Sequence, residues 1–148
     1  MKLNPDCIRD LLLFCEKNTY INTNEGNGSI SASYHVLYVE SMCKCSPLDK
    51  YNSGELIYHI IQLSESGYIA TDFNFDPQTN FTFGNLPHIY FVTPKGHEFI
   101  ATISSKDSWA KTSGILNAVK AVSLSIIETV AKGVTEGVVT QYMAALPG

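Results

Sequence analysis

The chain has 148 residues, of which 45% are hydrophobic, and a formal net charge of −4. This composition excludes a disordered protein and predicts one folded domain with a core of its own. No segment forms a basic patch, which disfavours nucleic acid as a partner. The first apolar run, Leu11 to Phe14, is too short and too closely flanked by charges for a signal peptide. We therefore expect a cytoplasmic protein with reduced cysteines and no membrane contact.

The N-terminal third predicts one helix, one loop and one strand. Asn4 is a capping residue and Pro5 suits the first helical position, so a helix should run from Pro5 to Lys17. The segment from Asn22 to Ser29 is rich in Asn and Gly and is interpreted as a mobile loop. Tyrosine and valine are frequent just after it, which indicates a strand around Tyr34 to Val39.

The clearest element is a helix from Asn52 to Ser66, preceded by a short helical turn that ends near Tyr51. Asn52 and Glu55 resemble a capping box. Gly67 stands where a left-handed residue would end the helix, with Tyr68 placed as in a Schellman motif. The predicted buried face consists of Leu56, Ile57, Ile60, Ile61 and Leu63.

A hairpin, the wing, is predicted over residues 69–92, with its second strand at Ile89 to Val92. Pairing Phe75 with Phe81 leaves Pro77 to Thr79 as the turn and puts four phenylalanines on one face. This wing aromatic face consists of Phe73, Phe75, Phe81 and Phe83. So much aromatic surface requires an apolar cover.

Two more helices are predicted after the wing. Thr93 and Pro94 open the first, whose Phe99, Ile100 and Ile103 should face inward. A last long helix should run from Asp107 into the 140s, and the glycines at 133 and 137 could bend or break it. Its apolar stripe would cover the phenylalanines, and its length also allows a homodimer through 107–146. The stripe consists of Ile115, Val119, Val122, Ile126 and Val130.

The order helix, wing, second helix is typical of winged-helix modules. The fold class expected is therefore α+β, with a winged-helix-like module over residues 1–103. Residues 104–148 would form a C-terminal helical extension that serves packing or dimerisation.

The helix over 52–66 occupies the place of a recognition helix, but its charge does not suit DNA. Its outward face is expected to consist of Glu55, Tyr58, His59, Gln62 and Glu65. No lysine or arginine lies between Lys50 and Lys95, and phosphate contacts supply most of the affinity of DNA-binding modules. A solvated helix face or a protein contact is therefore favoured, while Lys44, Lys50 and Lys95 keep a DNA-binding alternative open.

Other candidate chemistry is weak. Cys43 and Cys45 form a single Cys-x-Cys pair, which favours ordinary thiols over a zinc site. His97 and Glu98 point about 100° apart on a helix and do not suit a shared substrate. Nucleotide-binding and nucleophile motifs are lacking. We expect no enzyme activity, no catalytic residues, no cofactor and no metal.

Three ordered motifs carry a family resemblance. They are the opening Met1 to Leu13, the segment Tyr51 to Ile69 with Leu56-Ile57-Tyr58-His59 and Ser66-Gly67-Tyr68-Ile69, and Thr93 to Phe99 followed by Trp109. Together they resemble a bacterial and prophage family, domain of unknown function 2513, over nearly the whole chain. The resemblance implies a winged-helix-like fold and brings no activity, ligand or site with it.

The function expected is a non-enzymatic regulatory or protein-interaction module of bacterial or prophage origin. The alternative is a DNA-binding transcriptional regulator that uses the helix 52–66 and the wing 69–92. A protein partner is expected in the first case and an operator DNA in the second.

Overall fold

A computed structural model describes the backbone of residues 1–72 and 86–145, with side chains up to residue 137. The helices are α1 (Pro5–Asn18), α2 (Val39–Met42), α3 (Ser53–Glu65), α4 (Pro94–Ile103), α5 (Lys106–Asn117) and α6 (Leu124–Ala145). The strands are β1 (Ile21–Gly26), β2 (Ser29–Tyr34), β3 (Leu37–Tyr38), β4 (Ile69–Thr71) and β5 (His88–Val92). A 3-10 turn at Leu48–Lys50 precedes α3. The expected α+β class is confirmed.

Within the described residues, the strands form two small antiparallel sheets. β1 pairs with β2, and the second sheet has the order β3-β5-β4. β5 lies in the centre of that sheet and buries Ile89 and Val92. The β4–β5 pairing confirms the base of the predicted wing. The wing aromatic face, Phe73, Phe75, Phe81 and Phe83, lies outside the described residues, as does its expected packing.

α1 begins where the sequence predicts. The side chain of Asn4 accepts hydrogen bonds from the backbone N–H groups of Asp6 and Cys7, at 3.1 and 3.4 Å. Apolar residues recur at helical spacing along one face, and α1 packs that face against α3, α4 and β5. The fully buried members are Cys7, Ile8, Leu11, Leu12 and Cys15.

The mobile loop expected from Asn22 to Ser29 is wrong, because β1 and β2 form a regular hairpin there. Asn27 and Gly28 both have positive φ, 52° and 74°, which is the geometry of a two-residue hairpin turn. Every residue of both strands is exposed, so burial does not alternate along them as it does in a strand with one buried face. The strand expected around Tyr34 to Val39 is not continuous, because Tyr34 ends β2, Leu37–Tyr38 form β3 and Val39 begins α2.

The single long helix expected from Asp107 is also wrong. The chain leaves helical geometry after α5, and α6 starts at Leu124, where the hydroxyl of Ser123 accepts the N–H of Ile126 at 3.2 Å. The helix then continues through both glycines, 133 and 137. The expected stripe is buried only in part: Ile115 and Val119 are exposed, whereas Val122, Ile126 and Val130 are half-buried against the core. The side chains that α5 and α6 bury are Trp109, Thr112, Leu116, Leu124, Ile127 and Ala131.

α4 and the two C-terminal helices close the core. Phe99, Ile100 and Ile103 of α4 are buried, as the sequence predicts. The buried apolar residues of α5 and α6 belong to the same cluster as those of the earlier elements. The boundary at 103/104 and the homodimer through 107–146 stay predictions. Within the described ranges, no helix combines the length and apolar character needed to cross a membrane.

Candidate interaction surface

α3 is fixed at both ends by local chemistry. At its start, the side chain of Asn52 accepts the N–H of Glu55 at 2.8 Å. At its end, Gly67 has φ +82°, and Tyr68 N donates to Leu63 O at 2.9 Å while Gly67 N donates to Ser64 O at 3.1 Å. Those two bonds are the Schellman pair that the sequence predicts.

Tyr68 also ties the end of α3 to the C-terminal helices. Its hydroxyl donates to the carboxylate of Glu128 on α6. Burial, together with this neighbouring carboxylate, raises the pKa of Tyr68 above its ordinary value. The hydroxyl therefore stays protonated and remains a donor, which keeps the end of α3 tied to α6.

His59 does not belong to the outward face, which corrects the expectation. Its side chain is fully buried, with Nε2 accepting from Asn4 N at 2.8 Å and Nδ1 lying 2.7 Å from Glu55 O. A carbonyl oxygen only accepts, so Nδ1 carries the hydrogen and Nε2 is free to accept. His59 thus fastens α3 to the start of α1. Its spacing of three from Leu56 and four from Leu63 is a usable sequence signal for burial.

Glu55 is on the surface only in part. Its carboxylate accepts a hydrogen bond from Asn4 Nδ2 at 3.0 Å, so it supports the α1–α3 junction instead of closing a capping box. The expected buried face is also too wide, because Ile57 and Ile61 are half-buried. The sites that remain outward are Tyr58 and Gln62, both half-buried, and Glu65, which is exposed.

Of the three lysines that the sequence places at the margins of α3 and the wing, two have partners within the chain. Lys50 Nζ lies 3.0 Å from Asp10 Oδ2, on the α1 side. Lys95 Nζ donates to Ser66 O at 3.0 Å and stands 4.6 Å from the ring centre of Tyr68. Lys44 is exposed. Two of the three lysines on which the DNA-binding alternative depends are therefore engaged in fixing the fold.

The only arginine of the chain is also structural. Arg9 donates from Nε to Ile103 O at 2.7 Å and from Nη2 to Ser104 O at 3.0 Å. These acceptors are carbonyls at the end of α4, where a cation is favourable. The guanidinium also lies 5.7 Å from the ring centre of Trp109.

At the base of the wing, Asp72 and His88 hold β4 and β5 together. His88 N donates to Asp72 Oδ1 at 2.7 Å, and the ring Nδ1 lies 2.5 Å from Asp72 Oδ2. Burial alone would raise the pKa of Asp72, but the hydrogen bonds from His88 outweigh it and lower that pKa. This pair closes the described end of the β4–β5 pairing.

The cysteines are free thiols. Burial raises the pKa of Cys7 and of Cys15 to about 12, so both stay protonated and unreactive. Cys43 is half-buried and Cys45 is exposed. Among the described residues, no group of three or more His, Cys, Asp or Glu could hold a metal ion. His97 pairs with Glu16 at 3.4 Å, and not with Glu98.

A groove that sequence reasoning misses lies beside Tyr58. It has a volume of about 520 Å³ and runs between the first residues of the chain and the loop that joins α5 to α6. Lys2 and Lys120 line it together with Leu3 and Val122. The sequence gives no signal for this groove, because its periodicity predicts helix where the loop lies.

A family model described as Hypothetical protein (DUF2513) matches residues 2–123. The chain belongs to this family. The match ends one residue before α6 begins. No curated protein and no solved structure matches the chain. The family description names no activity.

Proposed function

We propose that the chain is a non-enzymatic, winged-helix-like interaction module, with a regulatory role in bacteria or their prophages, whose α3 surface contacts a partner protein. The contact surface is defined by Tyr58, Gln62 and Glu65. The winged-helix-like part is supported by the element order α1, β3, α2, α3, β4, β5, with a sheet ordered β3-β5-β4.

One observation carries the choice of protein over DNA. α3, β4 and β5 together contain no lysine or arginine. Lys50 and Lys95 at their margins have partners within the chain, and Lys2 and Lys120 line the groove beside Tyr58. A protein that holds a duplex neutralises several phosphates with cations. The carboxylate of Glu65, which is exposed on the same face, would repel the phosphate backbone of DNA.

The alternative is a DNA-binding regulator that uses the helix 52–66 and the wing 69–92. It is favoured by the element order alone. A duplex-binding assay with random DNA at about 50 and 200 mM salt separates the two, because phosphate contacts weaken steeply between those concentrations. We expect no measurable salt-dependent binding.

The positive test places a photo-crosslinking amino acid at Gln62 in one variant and at Glu65 in another, within cells that carry the protein. A third variant carries it at Lys132, an exposed position on α6, as the control. We expect a defined protein adduct from Gln62 and Glu65 that is absent from the control. Adducts of equal yield at all three positions, or duplex binding that falls about tenfold on Gln62→Ala, would overturn the proposal.

A further inference from the structure

An aromatic groove, separate from the α3 contact surface, lies between the end of α1, the base of the β1–β2 hairpin, β5 and α4. Its volume is about 370 Å³. Tyr34 of β2 lies 6.0 Å from Tyr90 and 5.4 Å from Phe91, measured between ring centres. Tyr20 lines the same groove and stacks on His35 at 4.3 Å. Tyr34 is 49% exposed and Phe91 36% exposed, which is unusual for large rings grouped together.

A β-bulge brings two consecutive rings into this groove. Ala70 pairs with Phe91 and Thr71 pairs with Ile89, so Tyr90 is an extra residue on β5. Regular alternation would put Tyr90 and Phe91 on opposite faces, whereas both line the groove. Bulges commonly redirect side chains in this way next to functional sites.

The lining of the groove contains one carboxylate, that of Glu16, beside its aromatic rings. Glu16 and His97 are its charged or titratable lining groups besides the tyrosines, with Glu16 Oε2 3.4 Å from His97 Nδ1. Of the described residues that line it, none is lysine or arginine. The faces of aromatic rings carry negative potential and attract cations, and a carboxylate beside them adds to that attraction.

We infer that this groove binds an arginine side chain of a partner protein, between the rings of Tyr34, Tyr90 and Phe91 and the carboxylate of Glu16. Arginine fits better than lysine because its planar guanidinium stacks on aromatic faces and matches a carboxylate with two N–H groups. The inference rests on the proposed protein-binding role and adds the chemistry of the partner.

The test titrates the full chain with N-acetyl-arginine N′-methylamide and follows backbone amide chemical shifts by NMR. The matched probe is the citrulline analogue, which has nearly the same shape without the charge. We expect the arginine probe to shift amides of β5 and the start of α4, and to bind about fivefold more tightly than the citrulline probe.

Two variants and one control locate the effect. Glu16→Gln and Tyr34→Leu should each weaken arginine binding several-fold. Glu98→Gln removes the same charge from an exposed position on α4 outside the groove and should leave binding unchanged. Equal affinity for both probes, equal effects of Glu16→Gln and Glu98→Gln, or no saturable shift at these amides would overturn the inference. The crosslinking result at Gln62 concerns a different surface, so either proposal can fail without the other.

Discussion

Gly96 is where α4 touches the turn after α3, and Gly96→Ala tests that contact. A Cβ at residue 96 would lie 2.6 Å from Val92 Cγ1 and closer still to the carbonyl oxygen of Tyr68. Carbon atoms pack favourably at about 3.5–4.0 Å, so α4 would have to move by roughly 1 Å. Tyr68 O also accepts the N–H of Thr93 at 3.1 Å, and the same movement would stretch that bond.

The expected cost follows from these two contacts. Overpacking costs about 1–3 kcal/mol, and weakening the hydrogen bond costs up to about 1 kcal/mol. Alanine recovers about 0.5–1 kcal/mol relative to glycine within a helix. The net destabilisation is about 2 kcal/mol, which for a chain of this size lowers the melting temperature by about 4–8 °C.

Thermal unfolding of the purified variant measures this, with Gly133→Ala as the matched control. Gly133 lies in α6, and no described atom beyond its own helical turns comes within 4 Å of where a Cβ would lie. Alanine there should therefore stabilise the protein by about 0.5–1 kcal/mol. If Gly96→Ala melts at or above the wild-type temperature, the close approach of α4 to Tyr68 is refuted.

Three further predictions concern the end of α3, the buried His59 and the cysteines. Gly67→Ala should destabilise the protein by about 1 kcal/mol, because residue 67 has φ +82° although a Cβ would meet no neighbouring atom. An unchanged melting temperature would contradict the left-handed end of α3 at Gly67. His59→Phe keeps an aromatic ring, though a larger one, and removes the acceptor of the Asn4 N–H, so urea unfolding should show a loss of stability of about 1–3 kcal/mol. Gln62→Ala should change the stability by no more than about 0.5 kcal/mol. An equal loss in both variants would refute the role of His59. With a thiol reagent at neutral pH, Cys45 should react at once, whereas Cys7 and Cys15, the two buried cysteines of α1, should react only when the protein unfolds. Rapid reaction of all four cysteines in the folded protein would contradict this burial.

The element ends can be predicted where a single residue type has a strong local reason to be there. Asn4, Asn52 and Thr93 cap their helices as expected, since side-chain oxygens satisfy the first free N–H groups. Gly67 ends α3 for an equally local reason. These signals depend on a few neighbouring residues, and tertiary packing does not change them.

The wrong predictions lie where tertiary context decides. The β1–β2 hairpin is exposed on both faces, so burial does not alternate along its strands. Its sequence signals are the Asn27–Gly28 turn and the alternation of serine with Ile30, Ala32 and Tyr34 along β2, and the mobile-loop prediction missed both. The break between α5 and α6 lacks proline and glycine, and apolar residues continue across it at near-helical spacing. The polarity of His59 indicates an outward residue, whereas its spacing from Leu56 indicates a buried one, and the spacing is the better guide here.

The motifs that carry the family resemblance meet in space. Asn4, from the first motif, bonds to His59 and Glu55 in the second. The end of the second motif meets the third, where Thr93 N donates to Tyr68 O. These contacts hold α3 in place. The three motifs of this chain therefore contribute to its packing, and the proposed partner is to be sought at two surfaces: Gln62 and Glu65 on α3, and the aromatic groove around Tyr34.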